Sequence, residues 1–167
     1  DNGGTVTPTD ASVTTAKFAS GVAIGATGTA NTLAGIPFFS DTTNGSIYTH
    51  DVSGTDDTAQ YNTAFGLVAL DAITTGDHNT VLGYQAGSAI TTGSGNIAIG
   101  SFSLDANATA DDNTAMGQSA LGQNTTGASN TGLGRSALTA NTEGDNNTAI
   151  GKDAMTNAPN QIVLGTQ

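Results

Sequence analysis

Apolar positions in this chain come in short bursts, not in long stripes. From residue 62 onward each burst pairs a small with a larger apolar residue, opens on Asn and closes on Gly. The first three copies are Asn62-Thr63-Ala64-Phe65-Gly66, Asn79-Thr80-Val81-Leu82-Gly83 and Asn96-Ile97-Ala98-Ile99-Gly100. Asn113-Thr114-Ala115-Met116-Gly117, Asn130-Thr131-Gly132-Leu133-Gly134 and Asn147-Thr148-Ala149-Ile150-Gly151 continue the series at an unbroken spacing of 17 residues. Three places past each Gly stands a small residue (Ala69, Ala86, Ser103, Ala120, Ala137, Ala154), followed by Leu70, Gly87, Leu104, Leu121, Leu138 or Met155. A polar stretch, Thr-Thr-Gly at 74–76, 91–93 and 125–127, leads back to the next Asn. A fixed short period marks a solenoid in which one repeat is one turn of a coil.

Two apolar dipeptides per repeat, separated by Gly and closed by Thr, Gly, Asp and Asn, predict two very short strands per turn. A helix is a poor alternative, because Gly recurs inside every segment and costs about 1 kcal/mol relative to Ala there. The recurring Gly suits a corner, where positive φ or close backbone approach excludes a side chain. The recurring Asn suits an internal ladder whose amides bond the bend and the neighbouring turns; Asn and Gly acting only as turn formers remain the plainer reading. The expected fold is thus all-β, a parallel β-solenoid (β-roll) with 17-residue turns. At about 4.8 Å per turn, six turns make a rod of roughly 29 Å. Each turn offers few apolar side chains, several of them only Ala, and a buried Leu or Ile contributes just about 1.5–3 kcal/mol. Three copies sharing a core on a threefold axis would remedy this, so a homotrimer is expected.

The phrase loses its register at both ends. After Gly151 the next equivalent Gly is Gly165, only 14 residues on, with Pro159 just before the last apolar run. Residues 158–167 are therefore expected to form an atypical terminal turn beyond a six-repeat solenoid over 61–157. Residues 1–60 lack the period, although Val22-Ala23-Ile24-Gly25 echoes it. Alternation across 13–18 and the runs 36–39 and 46–50 suggest short strands, with Asn44-Gly45 as a turn, in an irregular β segment or intertwined shaft. The chain opens at Asp1 without an initiator Met or a charged-then-apolar leader, so a processed chain or a piece of a longer one is expected.

Composition removes several function classes. The net charge is −11, and Lys17, Arg135 and Lys152 are too few and too scattered to neutralise a phosphate backbone or an anionic membrane surface. No run approaches the roughly 18 apolar residues of a membrane-spanning helix, so this segment is not expected to insert. Cysteine is absent, which excludes disulfides and thiolate metal sites.

Candidate chemistry is sparse. The carboxylate pairs Asp56-Asp57 and Asp111-Asp112 are adjacent in polar turns, whereas a glycosidase needs two carboxylates about 5–10 Å apart across a sugar. Calcium bridging by these four remains open, without an EF-hand or a calcium-binding repeat pattern. His50-Asp51 and Asp77-His78 lack a spaced third ligand for zinc. No Ser stands in a nucleophile elbow, and Gly93-Ser94-Gly95 leads into no phosphate loop. The expectation is a non-enzyme without cofactor or metal.

The phrases Asn-Thr-Ala-Ile-Gly-x-x-Ala-Leu and Thr-Thr-Gly-x-x-Asn-Thr, across about 62–165, resemble repeats of bacteriophage tail fibres and related trimeric fibre proteins. In those proteins they often precede a self-cleaving chaperone domain that assists trimerisation. They are also similar to the shorter-period Ala-Ile-Gly repeats in trimeric autotransporter adhesin heads, which form a left-handed parallel β-roll. The resemblance implies a structural fibre segment for attachment to a cell surface, in a virion tail fibre or at a bacterial surface. It implies a host receptor or glycan as partner, with a bacterial adhesin or self-assembling extracellular filament as the alternative to a phage fibre. A further alternative comes from the residues: Thr63, Thr80, Thr114, Thr131 and Thr148 would align along the rod, as would Thr75, Thr92 and Thr126, and such arrays can order water and bind ice. Against it, Thr is an ordinary polar strand residue and Ile97 interrupts the series.

Overall fold

The structure is a computed structural model that describes residues 31–33, 36–41, 46–48, 58–156 and 158–165. Val13, Val22, Asn44-Gly45, His50-Asp51 and Asp56-Asp57, with the expectations attached to them, lie outside the described residues. Ten strands form one sheet in chain order. They are β1 (Asn31–Leu33), β2 (Ile36–Asp41), β3 (Ser46–Tyr48), β4 (Thr63–Phe65) and β5 (Thr80–Leu82). The series continues with β6 (Ile97–Ile99), β7 (Thr114–Met116), β8 (Thr131–Leu133), β9 (Thr148–Ile150) and β10 (Ile162–Leu164). β1, β2 and β3 pair antiparallel, while β3 through β10 are eight parallel rungs of a β-solenoid. From β4 to β9 every residue pairs with the one a repeat away, as in Thr63 with Thr80 and Phe65 with Leu82. The outermost junctions differ: Ile47 pairs with Thr63 and Ile162 with Thr148.

Each turn carries one three-residue strand, not the two that were expected. The segment after the Gly curls instead, because two of its residues adopt left-handed φ: Val68 and Leu70 at 61° and 58°, Phe102 and Leu104 at 59° and 49°, Ser136 and Leu138 at 56° and 54°. An L-residue pays about 1–2 kcal/mol for that region. Contacts between turns hold it there, as when Leu70 N donates to Ala86 O (3.1 Å) and Leu121 N to Ala137 O (2.9 Å). One wall of the solenoid is therefore a sheet, and the other is a stack of turns.

Alternation along the short strands sorts the side chains. The middle residue points inward, giving the buried column Ala64, Val81, Ala98, Ala115 and Ala149. Ala69, Ala86, Ala120, Ala137 and Ala154 face it from the turn wall, with Leu70, Leu104, Leu121 and Leu138 filling the space between. A further interior column changes chemistry midway, from Ile73 and Ile90 to Asn107 and Asn124, all fully buried. Within one coil the cavity is thus filled by about one large aliphatic residue per turn. The small residues let the two walls approach closely.

Candidate functional site: the ladder and the outward strand face

The six repeat-opening Asn residues, Asn62, Asn79, Asn96, Asn113, Asn130 and Asn147, are fully buried. Asn79 N donates to Asn62 Oδ1 at 2.8 Å, and the bond repeats at 2.9–3.0 Å up to Asn147 N with Asn130 Oδ1. Ser46 Oγ accepts Asn62 N at one end, and Gln161 N donates to Asn147 Oδ1 at the other. The Nδ2 groups of Asn62, Asn79, Asn96 and Asn130 tie the ladder to the turns through the carbonyls of Gly76, Gly93, Ala110 and Gly144, at 2.7–2.9 Å. Asn113 Nδ2 and Asn147 Nδ2 have no partner. Polar atoms can fill this interior because almost all of them are bonded.

Gly66, Gly83, Gly100, Gly117, Gly134 and Gly151 stack in a column directly after the strands, with φ between 125° and 146°. At Gly117 the reason is plain. A Cβ there would lie 2.5 Å from Gly134 O and 2.6 Å from its carbonyl carbon, both rigid backbone. Successive turns approach too closely at this corner for any side chain.

The first and third strand residues face outward. The third-position column is apolar throughout: Phe65, Leu82, Ile99, Met116, Leu133, Ile150 and Leu164. Phe65 is 50% exposed, Met116 40% and Leu133 41%. Beside it runs Ile47, Thr63, Thr80, Ile97, Thr114, Thr131, Thr148 and Ile162. Thr and large apolar side chains therefore alternate across one face for the length of the rod. The second Thr series, Thr75, Thr92 and Thr126, is exposed on a different corner. Leu67 and Tyr84 extend the apolar face past the Gly column near β4 and β5, and Tyr84 packs edge-on against Phe102 (5.5 Å). Arg135 and Lys152 occupy the corresponding places farther along, so this flank changes from apolar to cationic.

The titratable groups do not converge. Asp111 and Asp112 are exposed; Asp111 Oδ1 accepts Ser94 N at 2.7 Å, as Asp77 Oδ1 accepts Gln60 N and Asp145 Oδ1 accepts Ala128 N. These carboxylates act as corner acceptors between turns. His78 stacks on Tyr61 with ring centroids 4.9 Å apart. Asp105 is pushed above the usual carboxylate range by burial, partly offset by a backbone hydrogen bond. Among the described residues no three His, Cys, Asp or Glu side chains are grouped to hold a metal ion. No helix among them is long and apolar enough to cross a membrane.

The alternation that separates inward from outward residues was present in the sequence, but it spans just three residues per turn. The large third-position residues read as core until the neighbouring small residue is seen to fill the interior. Comparison with protein-family models, curated proteins and solved structures returns no match.

Proposed function

We propose that the chain is a non-enzymatic segment of an extracellular attachment fibre, three copies lying parallel with their outward strand faces against one another. The carrying observation is the exposed apolar column from Phe65 to Leu164. Contiguous apolar surface of this extent marks an interaction site. Its occupant must match a straight row with a rise of about 4.8 Å per rung, a spacing that another copy of the same solenoid has by construction. Copies related by a closed rotation use one surface repeatedly and leave no apolar row in water. The result is a stiff spacer, and the repeat resemblance favours a bacteriophage tail fibre bearing a receptor- or glycan-binding region elsewhere, with localisation in the virion tail.

Light scattering after size exclusion tests this reading. The expected species has three times the 16.4 kDa chain mass. Replacing Met116 and Leu133 together by Glu should convert it to monomer while the circular dichroism stays β-type. A monomeric parent chain would refute the shared interface, and thermal hysteresis in that monomer would turn the Thr-bearing face toward ice instead.

A further inference from the structure

The outward face is wider than its three-residue strands. Alternation carries it one position further at each end, as in Tyr61, Thr63, Phe65 and Leu67, all exposed. The two flanks added in this way differ in chemistry. Past the Gly column run Leu67, Tyr84, Ser101, Gln118, Arg135 and Lys152; ahead of the ladder run Tyr61, His78, Gly95, Asp112, Ser129 and Asn146. Near β4 and β5 both flanks are apolar or aromatic, with Tyr61 57% exposed and Leu67 68%. Toward β9 they part in sign. The first flank gains exposed Arg135 and Lys152, and the second gains exposed Asp112, joined by exposed Asp111 and Asp145 from the adjacent column.

The chain has 3 Lys and Arg against 14 Asp and Glu, and two of those three cations stand in one column. Neither is neutralised within its own coil by the opposite flank. Arg135 makes no ion pair among the described residues, and Lys152 meets Asp153 on its own flank (Nζ to Oδ2 3.2 Å) while its side chain stays 66% exposed. On the other flank Asp111 and Asp145 each use Oδ1 to accept a backbone N–H of the preceding turn. Copies placed around a threefold axis parallel to the rod keep their rungs level and bring one flank of each against the other flank of the next. Lys152 is then level with Asp145, both in the rung of Asn147, and Arg135 lies one rung, about 4.8 Å, from Asp112 and from Asp145. Leu67 and Tyr84 come level with Tyr61 and His78. Antiparallel pairing across the face sets each flank against its own reverse, so that Arg135 and Lys152 meet Tyr84 and Leu67 and the carboxylates meet Tyr61 and His78.

From this charge pattern we infer that the two flanks are complementary halves of the contact between neighbouring copies, cation against carboxylate and aromatic against aromatic, and that their pairing fixes the copies parallel. The occupant of each flank is the opposite flank of a second copy of this chain. The inference rests on the shared-face reading above and adds which edges meet and in which direction. Opposite charges at the rim of an apolar contact govern orientation more than affinity, whereas like charges brought together oppose association strongly.

The test is charge reversal followed by restoration within one chain, read as trimer mass against protein concentration by light scattering. One variant carries Arg135→Glu and Lys152→Glu, a second carries Asp112→Lys and Asp145→Lys, and a third carries all four. Each two-site variant should need at least about tenfold more protein than the parent to form the trimer. The four-site variant should return to within about threefold of the parent, because every flank again meets its opposite. Circular dichroism checks that each variant stays β-type. If losing the Asp145 acceptor for Ala128 N disturbs the fold, Arg135→Glu and Asp112→Lys, singly and together, give the same comparison. A trimeric parent whose reversed variants assemble unchanged, or stay weak when combined, overturns the flank pairing and leaves the shared face standing. A monomeric parent overturns the shared face and this inference together.

Discussion

Replacing Asn96 by Ala isolates what the buried ladder contributes. The Asn96 side chain accepts Asn113 N at 3.0 Å through Oδ1 and donates through Nδ2 to Asn79 Oδ1 (3.1 Å), Ala110 O (2.9 Å) and Ser94 O (3.3 Å). After truncation Asn79 Oδ1 keeps the Asn96 N–H, Ala110 O keeps Asn107 Nδ2 at 3.0 Å, and Ser94 O keeps Asp112 N at 3.0 Å. The loss is therefore uneven. One buried N–H, that of Asn113, is orphaned at about 1–3 kcal/mol, and three further bonds are lost at about 0.5–1 kcal/mol each because their other partners stay satisfied. A destabilisation of about 2.5–6 kcal/mol follows. Asn113→Ala removes the acceptor for Asn130 N but no donated bond, so about 1–3 kcal/mol is expected there. Urea unfolding followed by circular dichroism, at matched protein concentrations, measures both. The ladder argument fails if Asn96→Ala costs no more than Asn113→Ala, or no more than truncating exposed Asn146.

Other substitutions probe the remaining devices. Gly117→Ala forces a Cβ against the Gly134 carbonyl at a φ of 138°, and should lower stability by more than about 3 kcal/mol in thermal melts. Gly165→Ala, with nothing within 4 Å of its added Cβ, should cost far less. Val68→Asn relieves a β-branched residue held at a φ of 61° and should raise the unfolding midpoint, with a gain of about 1 kcal/mol; a lower midpoint would refute the strain. Asp105 has a folded-state pKa above its unfolded value, so its protonated form favours the native state. Its contribution is stabilising in acid and is lost as pH rises through the interval from the ordinary carboxylate value to the raised one. Asp105→Asn should accordingly stabilise the protein at neutral pH and make little difference in acid, as read from melts across that interval.

The 17-residue spacing of Asn and Gly made the solenoid legible, because both residues serve geometry that few others can. Asn offers an acceptor and a donor at one bend, and Gly lets two backbones meet. The strand triplets were legible for the same reason, being framed by those two residues. The turn wall was not. Its left-handed positions fall on Val68, Gln85, Phe102, Ser119 and Ser136 in one series and on Leu70, Leu104, Leu121 and Leu138 in another. None of these types announces positive φ, and the stacked neighbours impose it. Ser46 in place of the ladder Asn was likewise hidden, since the junction to β4 departs from the repeat spacing.

The ladder, the strand pairs and the Gly column all join a residue to its counterpart one whole repeat away. Excising or duplicating 17 codons anywhere inside the series consequently leaves each surviving residue with a partner of the same kind, whereas adding one codon breaks the in-phase Asn bonds at that junction. Rod length is then a heritable quantity that changes in steps of about 4.8 Å. Unequal recombination between near-identical repeats is sufficient to adjust how far the rod reaches, and selection on reach need not reopen the problem of folding.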